Sequence, residues 1–118
     1  MRVFFYLSSC DTCKRIMKDL QLDSSIMKID IKKNPITESQ IDELNKLSQS
    51  YEALFSKRAQ LYKQKGLKDQ ALKDKDFRDL ILEHYTFLKR PILVYGKNIF
   101  IGNSSRVFEA AKVFFDEQ

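Results

Sequence analysis

Apolar and polar positions divide the chain into short segments of two different periods. Residues 3–7, Val3-Phe4-Phe5-Tyr6-Leu7, form a near-continuous apolar run, the pattern of a strand buried on both faces. Beyond Cys13, the apolar residues Ile16, Met17, Leu20 and Leu22 fall at helical spacing among polar Lys14, Arg15, Lys18 and Asp19. This predicts a helix reaching about residue 22. Residues 26–31 alternate with period two and read as a second strand. Strand, helix and strand in such close succession make a βαβ unit, which predicts parallel pairing.

Lys32-Lys33-Asn34-Pro35 breaks the pattern. Thr37, followed at the third position by Gln40, has the form of a capping box and opens a helix with Ile41, Leu44 and Leu47 on one face. A further helix is predicted over 51–66, with Leu54, Phe55, Leu61 and Tyr62 apolar and Gly66 as its C-cap. Asp76 is expected to cap a short helix over 76–84. Residues 92–95 read as a strand, 96–98 as a turn and 99–101 as its hairpin partner. Asn103 or Ser104 caps a last helix whose apolar face is Val107, Phe108, Ala111, Phe114 and Phe115. No repeat or linker interrupts the 118 residues, so a single domain with its own core is expected.

Composition narrows the class. Hydrophobic content of 43% and aromatic content of 12% suit an ordinary soluble globular protein. No apolar run approaches the roughly 20 residues a membrane helix needs. The opening residues are too short for a signal-peptide core and run into Ser8-Ser9-Cys10-Asp11, so a cytoplasmic protein with no membrane association is expected. The net charge of +5, from 21 basic and 16 acidic residues, permits an anionic substrate or an acidic partner. Phosphate-loop, RNA-binding and zinc-finger patterns are all missing, and direct nucleic-acid binding is not expected.

Against that background Cys10-Asp11-Thr12-Cys13 makes the most specific chemical proposal, and it holds the chain's two cysteines. The pair sits where a helix should start. There the macrodipole and free backbone N–H groups favour a thiolate. Two cysteines in a cytosolic chain point to redox or nucleophilic chemistry rather than to a structural bridge. Cys10 is the expected nucleophile, attacking an oxidised sulfur or an oxyanion, and Cys13 the thiol that resolves the adduct by closing a Cys10–Cys13 disulfide. The plainer alternative makes both cysteines small buried hydrophobes. Two cysteines and the distant His84 do not make four zinc ligands, so no metal is expected. The element order is β-α-β, helices, β-β-α, with C-x-x-C after the first strand. This is the thioredoxin-like α/β order: a mixed four-stranded sheet from 1–33 and 89–118, with a helical insertion over 36–88.

Four blocks carry a family resemblance. Cys10-Asp11-Thr12-Cys13-Lys14 resembles the active-site turn of the arsenate reductase (ArsC)/Spx family. Leu54-Phe55-Ser56-Lys57-Arg58, with Leu61-Tyr62 and Gly66-Leu67, resembles its mid-chain signature. Leu88-Lys89-Arg90-Pro91-Ile92-Leu93-Val94 resembles its Arg-Pro strand entry, and Phe100-Ile101-Gly102 its hairpin exit. The resemblance implies a nucleophile at Cys10, an oxyanion or thiol-ligand pocket completed by Arg90, and a cis-proline at Pro91. Ser56 and Gly102 stand where glutaredoxin-coupled arsenate reductases of this family carry arginines, so the resemblance lies nearer the reductase-like and Spx branch. It implies thiol–disulfide or glutathione-linked reduction rather than an arsenate-specific pocket.

Arg90, Arg58, Thr12 and Lys14 are the candidate substrate-binding residues. Three of them have a structural alternative: a surface arginine before a strand for Arg90, an ion pair with an acidic neighbour for Arg58, a turn or cap for Thr12. Asp11 also belongs to the turn or cap. His84 is expected as a helix C-terminal cap or partly buried ring, not a base. The lysines at 57, 63, 65, 68, 73 and 75 make a solvated face or a partner-docking surface.

Three functions compete. The first is a thiol-dependent reductase acting on a small thiol or oxyanion, with no bound cofactor. Glutathione or a thioredoxin/glutaredoxin system, the latter a redox partner protein, would donate its electrons. The second is an Spx-like regulator that binds the C-terminal domain of the RNA polymerase α subunit, with the C-x-x-C as its switch. The chain's end at Gln118, directly after the last predicted helix, counts against it. The third is a redox-silent scaffold.

Overall fold

A computed structural model describes all residues, 1–118. Its contacts divide the chain into two compact units, Met1–Asn34 with Arg90–Gln118, and Pro35–Lys89.

The first unit is a mixed four-stranded sheet in the order β2-β1-β3-β4, formed by β1 (Arg2–Tyr6), β2 (Met27–Asp30), β3 (Ile92–Tyr95) and β4 (Asn98–Ile101). β1 runs parallel to β2, with Val3 opposite Met27 and Tyr6 opposite Asp30. It runs antiparallel to β3, and β3 returns as β4 through Gly96-Lys97. The apolar run of β1 occupies the centre of this sheet, with Phe4 and Phe5 fully buried on opposite faces. Helices α1 (Asp11–Asp19) and α5 (Ser105–Asp116) belong to the same unit. A core of Phe4, Ile16, Leu20, Ile26, Leu93 and Ala111 joins α1 and α5 to the sheet. This is the thioredoxin-like arrangement anticipated from the sequence, one or two residues shorter at several ends. Helix α1 closes early: Leu20 is its C-cap and Gln21 turns to φ +52°, so Leu22 lies beyond it. Ser104, not Asn103, caps α5 by accepting the Val107 N–H at 3.2 Å.

The second unit is helical. The capping box of α2 (Glu38–Ser48) forms as expected. Thr37 Oγ1 accepts the Gln40 N–H at 3.1 Å, and Gln40 Oε1 accepts the Thr37 N–H at 3.0 Å. Buried Ile41 and Leu44 confirm which face turns inward. The helix predicted over 51–66 is not continuous. A 3₁₀ turn, Glu52–Leu54, gives way to extended backbone, and α3 covers only Gln60–Gln64. Phe55 pairs with Leu88 in an antiparallel bridge. Around it the Ser56 N–H donates to the Phe87 carbonyl at 2.7 Å and the Lys89 N–H to the Leu54 carbonyl at 2.8 Å. Backbone bonds to residues more than thirty positions away, not local propensity, decide this segment. Phe55 is buried against the rings of Phe77 and Phe87, with centroids at 4.9 and 5.1 Å. Gly66 does follow α3, in the left-handed conformation at φ +62° that a glycine adopts without strain. Helix α4 (Asp74–Glu83) starts two residues before Asp76. Asp76 sits in its first turn and accepts the Lys73 N–H at 2.8 Å. The Asp74 carboxylate reaches the Tyr51 and Glu52 N–H groups at 3.1 and 3.0 Å. Asp42 and Arg78 join α2 to α4 through two hydrogen bonds of 2.9 and 3.2 Å. No helix of either unit is long and apolar enough to cross a membrane.

Candidate active site

The site begins where β1 ends. After Tyr6 the chain leaves the sheet through a turn, closed by the Cys10 N–H donating to the Leu7 carbonyl at 2.9 Å. Cys10 is the N-cap of α1, with extended backbone at φ −95° and ψ 107°. Its sulfur takes the part that a Ser or Asp oxygen plays in most caps and accepts the Cys13 N–H at 3.4 Å. Its carbonyl accepts the Lys14 N–H at 3.2 Å. The helix therefore starts at Asp11, three residues before the sequence pattern suggested, because the first cysteine does the capping. Asp11 and Thr12 lie within the first turn.

Two thiols in one turn meet opposite environments. Burial pushes the half-buried Cys10 thiol up, but more acts the other way. The Cys13 N–H and thiol, the Arg90 guanidinium and the Thr12 N–H together hold it below its ordinary value. Hydrogen bonds to the charged form and a nearby cation lower a thiol's pKa in this way. Cys13 is fully buried. Burial chiefly, with the neighbouring Cys10, pushes its thiol up to about 12. Both cysteines are free thiols.

Arg90 is half-buried, belongs to the same unit and forms no ion pair. Its bond to Pro91 is cis, and β3 starts at the next residue. The other candidates fall differently. Lys14 is exposed and lies 3.7 Å from the Asp11 carboxylate. Thr12 is half-buried and contributes a backbone N–H toward the Cys10 sulfur. Arg58 belongs to the second unit, on the exposed stretch between the Glu52–Leu54 turn and α3. It makes no ion pair there, so the acidic neighbour considered for it is missing. Lys57 and Lys65, by contrast, are paired with Glu52 and Glu83 at 2.7 and 2.8 Å.

Gly102 explains one departure from the arsenate reductase pattern. Its φ is +92° and its N–H donates to the Pro91 carbonyl at 2.9 Å. A side chain at this φ is strained whatever the space around it, so this backbone suits glycine and not arginine. His84 ends α4, its ring stacked on Tyr85 with centroids 4.8 Å apart. Its Nδ1 accepts the Thr86 N–H at 3.2 Å, so the ring caps the start of the following 3₁₀ turn, Tyr85–Phe87, rather than the carbonyls at the end of α4. Sequence reasoning passed over Ser8, inside the turn, and Asp30, opposite Tyr6 at the end of β2. The available signal was an acidic residue closing a strand beside β1, at the strand ends where open α/β sheets place their sites.

A thioredoxin-like unit with a dithiol turn after its first strand defines the class. The chain belongs to the ArsC family, whose sequence model matches residues 5–111. It is similar in structure to a protein described as a possible arsenate reductase from Streptococcus mutans UA159, at 31% identity. That match covers 89% of this chain and 92% of the other, with a TM-score of 0.69. An ArsC family related protein from Bacteroides fragilis shares the fold at 19% identity, with 93% and 96% covered and a TM-score of 0.75. Arsenate reductase from Vibrio cholerae shares it at 21% identity, with 93% of each chain covered and a TM-score of 0.69. Among curated proteins no match was found.

Proposed function

We propose that this chain is a cytoplasmic thiol-dependent reductase of the ArsC family, with Cys10 as nucleophile and Cys13 as resolving thiol. The observation that carries the reading is the asymmetry of the two thiols: Cys10 lowered at the start of α1, Cys13 raised in the core. A poised thiolate beside a protonated reserve suits stepwise exchange. The Cys10 thiolate attacks one sulfur of a substrate disulfide. A mixed disulfide forms and the other substrate sulfur leaves as a thiolate. Cys13 then loses its proton and attacks the Cys10 sulfur, which closes Cys10–Cys13 and expels the second substrate thiol. The substrate gains two electrons and the enzyme loses two. Glutathione, or a thioredoxin or glutaredoxin, returns them and reopens the disulfide. Arg90, through its planar fork, binds the anionic part of the substrate, and Thr12 and Lys14 lie in the same turn of α1. Glycine at position 102 weighs against an arsenate-specific pocket.

Turnover of a glutathione mixed disulfide is the direct test. Cys10→Ser should lose activity by about 10³-fold or more, as removal of a nucleophile does elsewhere. Cys13→Ser should accumulate a mixed disulfide on Cys10 that mass spectrometry identifies. Full activity in Cys10→Ser ends the proposal. The C-x-x-C itself also favours a second reading, an Spx-like redox regulator. In that case Cys13→Ser yields no substrate adduct, and the wild-type protein retains the RNA polymerase α subunit in a pull-down.

A further inference from the structure

Asp30 is the one charged side chain buried in this protein, at 7% exposure. It closes β2 directly opposite Tyr6, the last residue of β1 before the active turn. The backbone ties the two strand ends together there, since the Ile31 N–H donates to the Tyr6 carbonyl at 2.9 Å. One carboxylate oxygen serves the local backbone, as Oδ1 accepts the Lys32 N–H at 3.0 Å. The other does not. Oδ2 is buried and has no hydrogen-bond partner, a state that folded proteins rarely leave unexplained. The Ser8 hydroxyl is the side-chain donor beside this carboxylate. It lies close enough to be the strongest influence holding the Asp30 carboxyl below its usual range, against the upward push of burial, but outside hydrogen-bond geometry.

Ser8 stands two residues before Cys10, inside the turn that the Cys10 N–H closes onto Leu7. We propose that Asp30 is a positioning residue for Cys10: its unpartnered Oδ2 is the acceptor to which the Ser8 hydroxyl turns, and that bond, once made, anchors the turn that presents the sulfur at the start of α1. The inference rests on Cys10 being the reactive thiol. Asp30 acts through Ser8 and not through its own field, because a carboxylate facing a thiolate would oppose its ionisation. Without the anchor the turn loosens, and the sulfur leaves the Thr12 and Cys13 N–H groups that favour its charged form.

The test is the pH dependence of iodoacetamide alkylation at Cys10, read by mass spectrometry on the full chain. Ser8→Ala and Asp30→Ala should each move the midpoint upward by the same amount and slow alkylation several-fold at pH 7. The double variant should show no more than either single change, as coupled residues do. Asp30→Asn keeps the shape and an acceptor but not the charge, and should stay near wild type. A pure field effect would instead move its midpoint downward and overturn the proposal. If Asp30→Ala does not fold, Ser8→Ala decides alone. An unchanged midpoint in Ser8→Ala, or additive effects in the double variant, overturns the positioning role while Cys10 remains the reactive thiol. An ordinary thiol profile in the wild type overturns both.

Discussion

Cys10 and Cys13 differ in what reaches their sulfurs, and that difference is open to measurement. Alkylation consumes thiolate, so each cysteine's rate rises with pH and levels off above its own pKa. For Cys10 the midpoint should lie below that of the same thiol in denatured protein, because Cys13, Arg90 and Thr12 outweigh burial. For Cys13 it should not be reached below about 12. Native protein at pH 7 should therefore be labelled at Cys10 alone, and denatured protein at both residues at similar rates. Equal labelling of the two in the native state would remove the asymmetry on which the proposed chemistry stands. At this scale the dithiol was legible in the sequence, since a C-x-x-C after an apolar run is a local pattern. The partners of its sulfur were less so. Lys14, a candidate for binding the substrate, lies 3.7 Å from the Asp11 carboxylate one turn back. Asp30 carried no motif, because its burial is a property of the folded sheet.

Helix ends show how far local rules reach. The Thr37–Gln40 capping box was readable because both hydrogen bonds close within one turn. Thr37→Ala should destabilise the protein by about 1 kcal/mol, seen as a lower urea midpoint with an unchanged slope. A midpoint equal to wild type would mean that α2 does not need its cap. The segment around Phe55 shows the opposite case. Its apolar spacing fits a helix, yet its backbone pairs instead with the Phe87 carbonyl and the Lys89 N–H, on either side of Leu88. A helix there would leave the backbone groups of Phe87 and Lys89 without partners. Asp76 is an intermediate case. It does satisfy the start of α4, but from the first turn, because the carboxylate of Asp74 is engaged with Tyr51 and Glu52.

At the scale of the whole molecule, contacts distant in sequence set the pH range of stability. Asp42 accepts from Arg78, 36 residues away, and from the Tyr51 hydroxyl at 2.7 Å. The Arg78 hydrogen bond foremost, and Tyr51 after it, lower its carboxyl to about 2, against about 3.9 when unfolded. A folded-state pKa below the unfolded one stabilises above the unfolded value and ceases to do so as pH falls through the folded one. Asp42→Asn should therefore lower the Tm at pH 7. The gap between variant and wild type should close as pH falls from about 4 toward 2. Melting curves across that range test it, and a gap independent of pH would assign the loss to packing.

The sequence by itself determined what lies within a turn or a strand's length: the β-α-β and β-β-α segments, the cap at Thr37, a cap at Asn103 or Ser104, and a dithiol at the start of a helix. Steric fit, hydrogen-bonding reach and side-chain period act between near neighbours, and the order of residues records them directly. Only the tertiary structure decided that the stretch after Tyr51 breaks to pair with Leu88, that Asp42 finds Arg78, and that Cys13 is buried while Cys10 stays half-exposed. It also left Asp30 with one buried oxygen that has no partner. Those outcomes depend on desolvation and on partners brought together across tens of residues, and no short window of sequence contains them.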